Sequence, residues 1–185
     1  MKASLKKNIL IWVASSAGFL LLTALGLYVY FMLQFNVYQD DQYKFSIKYP
    51  KTWKVFIHPK KDVAVIFQRP KDTAFDPFFE NFCVVVQPVP DDILTVQAYT
   101  ATIKKQMLAV FKGNISVVED KSIQWGWREG HIWSIVAPNP DHLRMDNAWV
   151  LRGSQAYLMA YLSDMNKYSQ DALYVEEMFR SLQLL

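Results

Sequence analysis

Cysteine occurs once in the 185 residues, at Cys83, and glycine only six times. A lone cysteine excludes an internal disulfide and any CxxC metal or redox motif. Cys83 lies in the apolar run Phe82 to Val86, where a small buried thiol is the ordinary reading. The few glycines form no phosphate-cradling loop, and no serine stands in a GxSxG elbow. Histidine appears three times, as His58, His131 and His142, with no HxH or HxxxH spacing. His58 and His131 read as surface or rim residues at strand ends. Asn139 to His142 with Asp146 offers oxygen and imidazole donors, but a loop so rich in Asn, Pro and Asp reads as a turn. The acidic pairs Asp91-Asp92 and Glu119-Asp120 are sequence neighbours, which point to opposite faces of a strand and cannot form a carboxylate dyad unaided. The expectation is a protein without catalytic residues, metal or cofactor.

Charge is missing altogether from Asn8 to Gln39. Within that stretch, residues 9-35 run ILIWVASSAGFLLLTALGLYVYFMLQF, longer than the ~20 apolar residues a helix needs to cross a ~30 Å hydrocarbon core. Trp12, Tyr28 and Tyr30 suit the two interfaces. A single transmembrane helix over 9-35 is therefore expected. Lys2, Lys6 and Lys7 precede it without an acidic residue, so residues 1-8 should stay cytoplasmic and the remainder be exported. The small residues Ser15 to Gly18 come too early for a cleavage site after a hydrophobic core, which favours an uncleaved signal anchor. No cysteine follows for lipid attachment.

The three leading lysines account for the whole formal charge of +3, so the rest of the chain is balanced. A neutral surface of mixed sign gives no reason to bind nucleic acid, whose phosphates demand clustered Lys and Arg. Fifteen percent aromatic residues mark a well-filled core.

Residues 36-42 (NVYQDDQ) read as a short polar connector, and 43-185 as one exported domain. Strands are predicted at Tyr43 to Tyr49, Trp53 to His58, Val63 to Gln68 and Phe82 to Gln87, the last covered on both faces. Arg69 to Glu80, with Phe75, Phe78 and Phe79, reads as a loop folding back onto the core. Asp92 or Thr95 can cap a helix carrying the stripe Val96, Tyr99, Ile103, Met107 and Val110, closed by Gly113 and Asn114. Strands Ile115 to Ile123, Arg128 to Ala137, Leu143 to Leu151 and Ser154 to Leu162 follow, the last two joined by a turn at Arg152 and Gly153. An amphipathic helix over Tyr168 to Leu182 ends the chain. This order indicates an α+β fold with an antiparallel sheet.

Four stretches share a family look. Tyr43-Lys-Phe-Ser-Ile-Lys-Tyr-Pro50 followed by Trp53, the segment Glu80-Asn-Phe-Cys-Val-Val-Val-Gln-Pro88 before a helix, and Gly153-Ser-Gln-Ala-Tyr157 with a final Glu177-Met-Phe-Arg-Ser-Leu182 resemble PsbP-like domains. The resemblance spans Tyr43 to Leu182. It implies an antiparallel β-sheet flanked by helices, an α-β-α sandwich, used for binding or assembly and without a catalytic triad.

The expected protein is thus a bacterial inner-membrane accessory or assembly factor. It would be anchored in the bilayer through 9-35 and would bind an envelope protein partner with its periplasmic domain. A periplasmic small-ligand or divalent-metal-binding protein is the alternative. Trp125, Trp127, Trp133 and Trp149 are the candidate partner-binding residues, since an exposed aromatic patch would mark an interface, although tryptophans near a turn can equally plug the core.

Overall fold

The computed structural model describes residues 18-185 except 75-77, 79, 92, 94, 113 and 138-141. The chain divides into two compact units, Met1–Asn36 and Val37–Leu185.

In the first unit, residues 18-32 form helix α1. Its leucines and aromatics are exposed, from Phe19 at 70 % to Leu33 at 61 % in the turn that ends it. At about 1.5 Å per residue this helix is roughly 22 Å long. Among the described residues, no helix is long and apolar enough to cross a membrane. The first third of the expected span, residues 9-17, lies outside the described residues. Its far end is not helical, because Leu33 and Gln34 form a turn and Phe35 opens a strand.

That strand, β1 (Phe35–Asp40), occupies much of the stretch read as a polar connector. It joins β2 (Phe45–Pro50) and the last strand, β10 (Gln183–Leu184), in a three-stranded sheet ordered β1-β2-β10. Backbone pairing, invisible in a polar sequence, is what orders these residues. In β2 the expected alternation holds, with Phe45 and Ile47 fully buried.

The main sheet has seven antiparallel strands, ordered β3-β4-β5-β9-β8-β7-β6. They are β3 (Lys54–Lys60), β4 (Val63–Gln68), β5 (Asn81–Pro88), β6 (Ser116–Trp125), β7 (Arg128–Ala137), β8 (Leu143–Arg152) and β9 (Gln155–Asp164). Two tight turns are set by glycines at positive φ, Gly126 (+61°) between β6 and β7 and Gly153 (+57°) between β8 and β9. At Gly130 a different constraint operates. An added Cβ would stand 2.9 Å from the Trp149 carbonyl oxygen, so glycine is what lets β7 lie against β8.

Adjacent residues on one strand feed different cores, which shows that both faces are covered. Trp149 and Ala156 pack with Val96, Tyr99 and Ile103 of helix α2 (Val96–Val110). Their neighbours Ala148, Val150 and Tyr157 pack with Val175 and Met178 of helix α3 (Tyr168–Ser181), together with Phe45 and Ile47 of the small sheet. The result is helix, sheet, helix, as expected, with the small sheet on the α3 side. On β5 the burial alternates: Phe82, Val84 and Val86 are buried, whereas Cys83 and Val85 are only half-buried. The strand is therefore less evenly covered than its apolar run suggested. Desolvation nonetheless pushes the Cys83 thiol up to about 11, which keeps it protonated.

Of the two cap candidates, Thr95 serves α2, its Oγ1 accepting from the Ala98 N–H at 3.2 Å. Lys112, at φ +52°, makes the left-handed turn after that helix. Both sheet edges are defended against pairing with another chain. Edge strand β3 carries lysines, Pro59 and an irregular register between Ile57 and Lys60. Edge strand β6 carries charges and a register shift between Val117 and Glu119.

Candidate functional site

The four tryptophans do not form one surface. Trp149, fully buried, donates from Nε1 to Thr100 Oγ1 at 2.9 Å and ties β8 to α2. Trp133, 2 % exposed, packs beneath the same helix, with Lys104 Nζ 5.9 Å above its ring. Trp125 is half-buried and donates to the Leu182 carbonyl at 3.2 Å, locking the end of β6 to the chain beyond α3. Trp127 alone is out, 80 % exposed at the β6-β7 turn, with the Arg128 guanidinium 3.7 Å over its ring. Of the four candidate partner-binding residues, then, Trp133 and Trp149 are core and Trp125 is a clamp. Strand alternation explains the split, because Trp133 and Trp149 point toward α2, whereas Trp127 sits in a two-residue turn with no neighbour to cover it.

His131 is buried and not on a rim. Its ring stacks on Trp149 at 5.3 Å between centroids, and Nε2 lies 2.8 Å from Asp120 Oδ1. Lys104 Nζ also reaches both Asp120 oxygens, at 2.5 and 2.6 Å. The Lys104 hydrogen bonds, and then that of His131, hold the Asp120 carboxyl below its ordinary value against the opposing effect of desolvation. His58 lies 3.0 Å from Asp40 Oδ2. His142 is described at φ +48°, while the Asn139 to Asp141 donors of its loop lie outside the described residues. Among the described residues no group of three or more His, Cys, Asp or Glu could hold a metal ion.

A concavity with a volume of about 380 Å³ lies between α3 and the face of β6, β7 and β8. It exists because α3 packs over β9 and β2 and leaves the outer strands on that side open. Its floor is apolar, formed by Ile132, Ala148, Val175 and Phe179. Charged side chains line it in pairs: Arg144 Nε on Asp146 Oδ1 at 3.1 Å, Lys121 on Glu119 at 2.5 Å, and Arg180 on Glu176 at 2.6 Å. The Arg144 guanidinium also lies 3.5 Å over the Tyr168 ring. Desolvation first, and then the Asp146 carboxylate, push the Tyr168 hydroxyl up to about 12. Ser134, 2 % exposed, stands opposite Asp146 in the β7-β8 register. Its side chain lines the cavity beside the apolar floor.

None of these cavity residues was a sequence candidate except Asp146, weighed there as a metal donor and found here paired to Arg144. A signal was present. Glu119 with Lys121, Ser134, and Arg144 with Asp146 are polar residues that fall on one face of three neighbouring strands, two of which, β7 and β8, are largely apolar through their centres. Polar side chains sharing one face of neighbouring strands mark a place where the sheet is not closed by apolar packing.

A second polar cluster is structural. Arg69 reaches Asp171 Oδ1 at 3.0 Å, Asp72 Oδ1 at 2.8 Å and Gln170 Oε1 at 2.9 Å, with Glu80 at 4.0 Å. Tyr161 donates to the other Asp171 oxygen at 2.9 Å. Arg69 and Glu80, which bracket the loop between β4 and β5, are thereby tied to α3. The expectation that the whole loop covers the core, through Phe75 and Phe79 as well, concerns residues outside those described.

No known family model matches the sequence, and no curated protein matches it. Solved structures do. Cyanobacterial PsbP from Synechocystis sp. PCC 6803 superposes with a TM-score of 0.62 at 11% identity, over 82% of this chain and 93% of that one. The Ran-binding protein Mog1p of Saccharomyces cerevisiae gives 0.56 at 10% identity, over 81% and 95%. A Pseudomonas aeruginosa protein of unknown function gives 0.53 at 9% identity, over 80% and 94%. The chain has a PsbP/Mog1-like fold, as its sequence resemblance implied.

Proposed function

We propose, from this PsbP/Mog1-like fold, that the protein is a non-catalytic binding module, a membrane-tethered accessory or assembly factor that holds a protein partner through the β6-β7 turn. The observation that carries the reading is Trp127, fully presented to solvent with Arg128 stacked on it. Tryptophan and arginine are the side chains most enriched among residues that dominate binding energy, and this pair is already ordered, so less entropy is lost when a partner covers it. Since both sheet edges are blunted, attachment through side chains at a turn is favoured over strand addition. Mog1p, described as Ran-binding, is an example of the same fold used to hold a protein. The tether is the uncharged stretch 9-35, with the amino end cytoplasmic and the domain outside the inner membrane. The partner would then be an envelope protein.

A photo-crosslinking residue placed at position 127 of the full chain tests the reading in intact cells. One discrete adduct is expected, and it should vanish when Arg128→Ala is added while persisting in an Arg152→Ala control. A smear of adducts insensitive to Arg128 would overturn the assignment of this turn as the docking point.

A further inference from the structure

One corner of the domain, where the last turn of α2 meets the start of edge strand β6, turns aliphatic side chains to solvent. We infer that this corner docks on the surface of an anionic lipid bilayer. Such docking rests on the tethered reading only to keep lipid within reach, and Trp127 takes no part in it.

Val110 is 76 % exposed, Val117 and Val118 are each about half exposed, and Leu108 is 42 % exposed. They belong to one surface. Lys104 of α2 is bound to Asp120 of β6, and Leu108 stands one helical turn beyond Lys104. Val117 and Asp120 lie opposite Ile135 and Trp133, whose side chains pack with α2, so Val117 faces the helix side of the sheet. Phe111 and Ile115, in the connection between the two elements, pack partly against the same core and hold the corner in place.

Charge decides what this surface prefers. From Ile93 to Val118 the sequence has no acidic residue, and its three basic residues are Lys104, Lys105 and Lys112. The acids that follow are engaged elsewhere: Asp120 is held by Lys104 and His131, and Glu119 lines the cavity on the opposite face. Lys105 and Lys112 are exposed and flank Leu108 and Val110 along the chain. Aliphatic side chains flanked by lysines suit a bilayer, which takes the first into its acyl boundary and the second against anionic headgroups. A protein interface would draw instead on aromatic residues and arginine and would be poor in lysine. Strand addition is opposed as well, because the register of β6 shifts between Val117 and Glu119.

The place of the corner in the sheet agrees. Paired residues run in one row across all seven strands from Lys54 to Val117. The Trp53 N–H donates to the Pro50 carbonyl in the turn before Lys54, which puts the end of β2 at that end of the sheet. Strands β1 and β2 are hydrogen-bonded neighbours joined by only four residues, which an antiparallel pair allows and a parallel pair does not. The chain therefore enters the domain at the end of the sheet that also carries Val117. The Trp127 turn closes the other end of β6, roughly 30 Å away at about 3.3 Å per residue, so docking does not cover it.

The full chain is reconstituted into vesicles of phosphatidylcholine alone or mixed with phosphatidylglycerol, with an environment-sensitive fluorophore on Val110→Cys in a Cys83→Ala background. Lipid spin-labelled near its headgroup serves as the quencher. In anionic vesicles the emission should move to the blue and be quenched, and in neutral vesicles much less so. The same label on Leu173→Cys, a similarly open position on α3, should stay in water. Lys105→Glu with Lys112→Glu should lower the docked-to-undocked ratio at least about tenfold, since each basic residue near an anionic surface is worth about fivefold. A Val110 label left in water in anionic vesicles, equal quenching at Leu173, or quenching indifferent to lipid charge and to the lysine reversals would each overturn the inference. A discrete protein adduct at Val110 in intact cells, with no quenching in vesicles, would assign the corner to a protein and overturn it too. An alkaline carbonate wash of the same vesicles reads the tether separately. Retention with Val110 in water overturns the docking alone, and release with Val110 quenched before the wash overturns the tether alone.

Discussion

Asp40 shows how one side chain makes the domain sensitive to acid. Its carboxylate is buried and accepts from the Tyr43 N–H at 2.8 Å, from His58 at 3.0 Å and from the Tyr38 hydroxyl at 2.9 Å. Desolvation alone would raise its pKa, but these hydrogen bonds together bring it below the ordinary value of 3.8. A carboxyl whose folded pKa is depressed contributes stability above its unfolded pKa and loses that contribution as pH falls through the folded value. Urea midpoints measured from pH 6 down to pH 2 should therefore fall through the region below 3.8. Asp40→Asn should flatten this limb and cost about 1–2 kcal/mol at neutral pH, the worth of hydrogen bonds to a charged group. Trp127→Ala, by contrast, should change stability by less than about 0.5 kcal/mol, because its ring is 80 % exposed and its stacking with Arg128 is at the surface. Equal melting curves, with loss of the adduct formed from a photo-crosslinking residue placed instead at the neighbouring exposed Gln124, would together assign Trp127 to binding and not to folding.

At the scale of elements, two joints decide how the layers are held. The first is the Arg69 cluster, which ties the β4-β5 loop to α3. Arg69→Ala would leave Asp171 buried without its guanidinium partner, and breaking a buried pair in this way costs about 3–5 kcal/mol. Denaturant unfolding should show a loss of that order, whereas Arg180→Ala, in an exposed i,i+4 pair of the same helix, should cost no more than about 0.5 kcal/mol. The second joint is Gly130. Because a Cβ there would meet backbone and not a side-chain end that can swing away, Gly130→Ala should destabilise by about 1–3 kcal/mol, with raised amide exchange in β7 and β8. Most elements were legible from periodicity: β4, α2 and β7 fall on their predicted limits, and the other long strands within about two residues. The misses were β1 and β10, one polar and the other only two residues long. Both gain order by pairing with β2, and periodicity cannot report a backbone partner distant in sequence.

For the molecule as a whole, attachment to a bilayer remains the proposal with the plainest test. The full chain should stay with membranes through an alkaline carbonate wash, and removal of residues 1-36 should release the rest. Release of the intact chain would refute the tether. The amino-acid sequence was by itself enough to specify the α+β layout, the balanced charge and the resemblance to PsbP-like domains. These depend on local spacing, on composition and on short motifs, all written along the chain. Only tertiary structure decided which tryptophans are core, that His131 is enclosed against Trp149, and that polar residues from three strands and α3 share one open cavity. The reason is physical: alternation sorts residues onto two faces, but which part of a face a helix covers depends on where that helix lands, and no local pattern encodes the landing point.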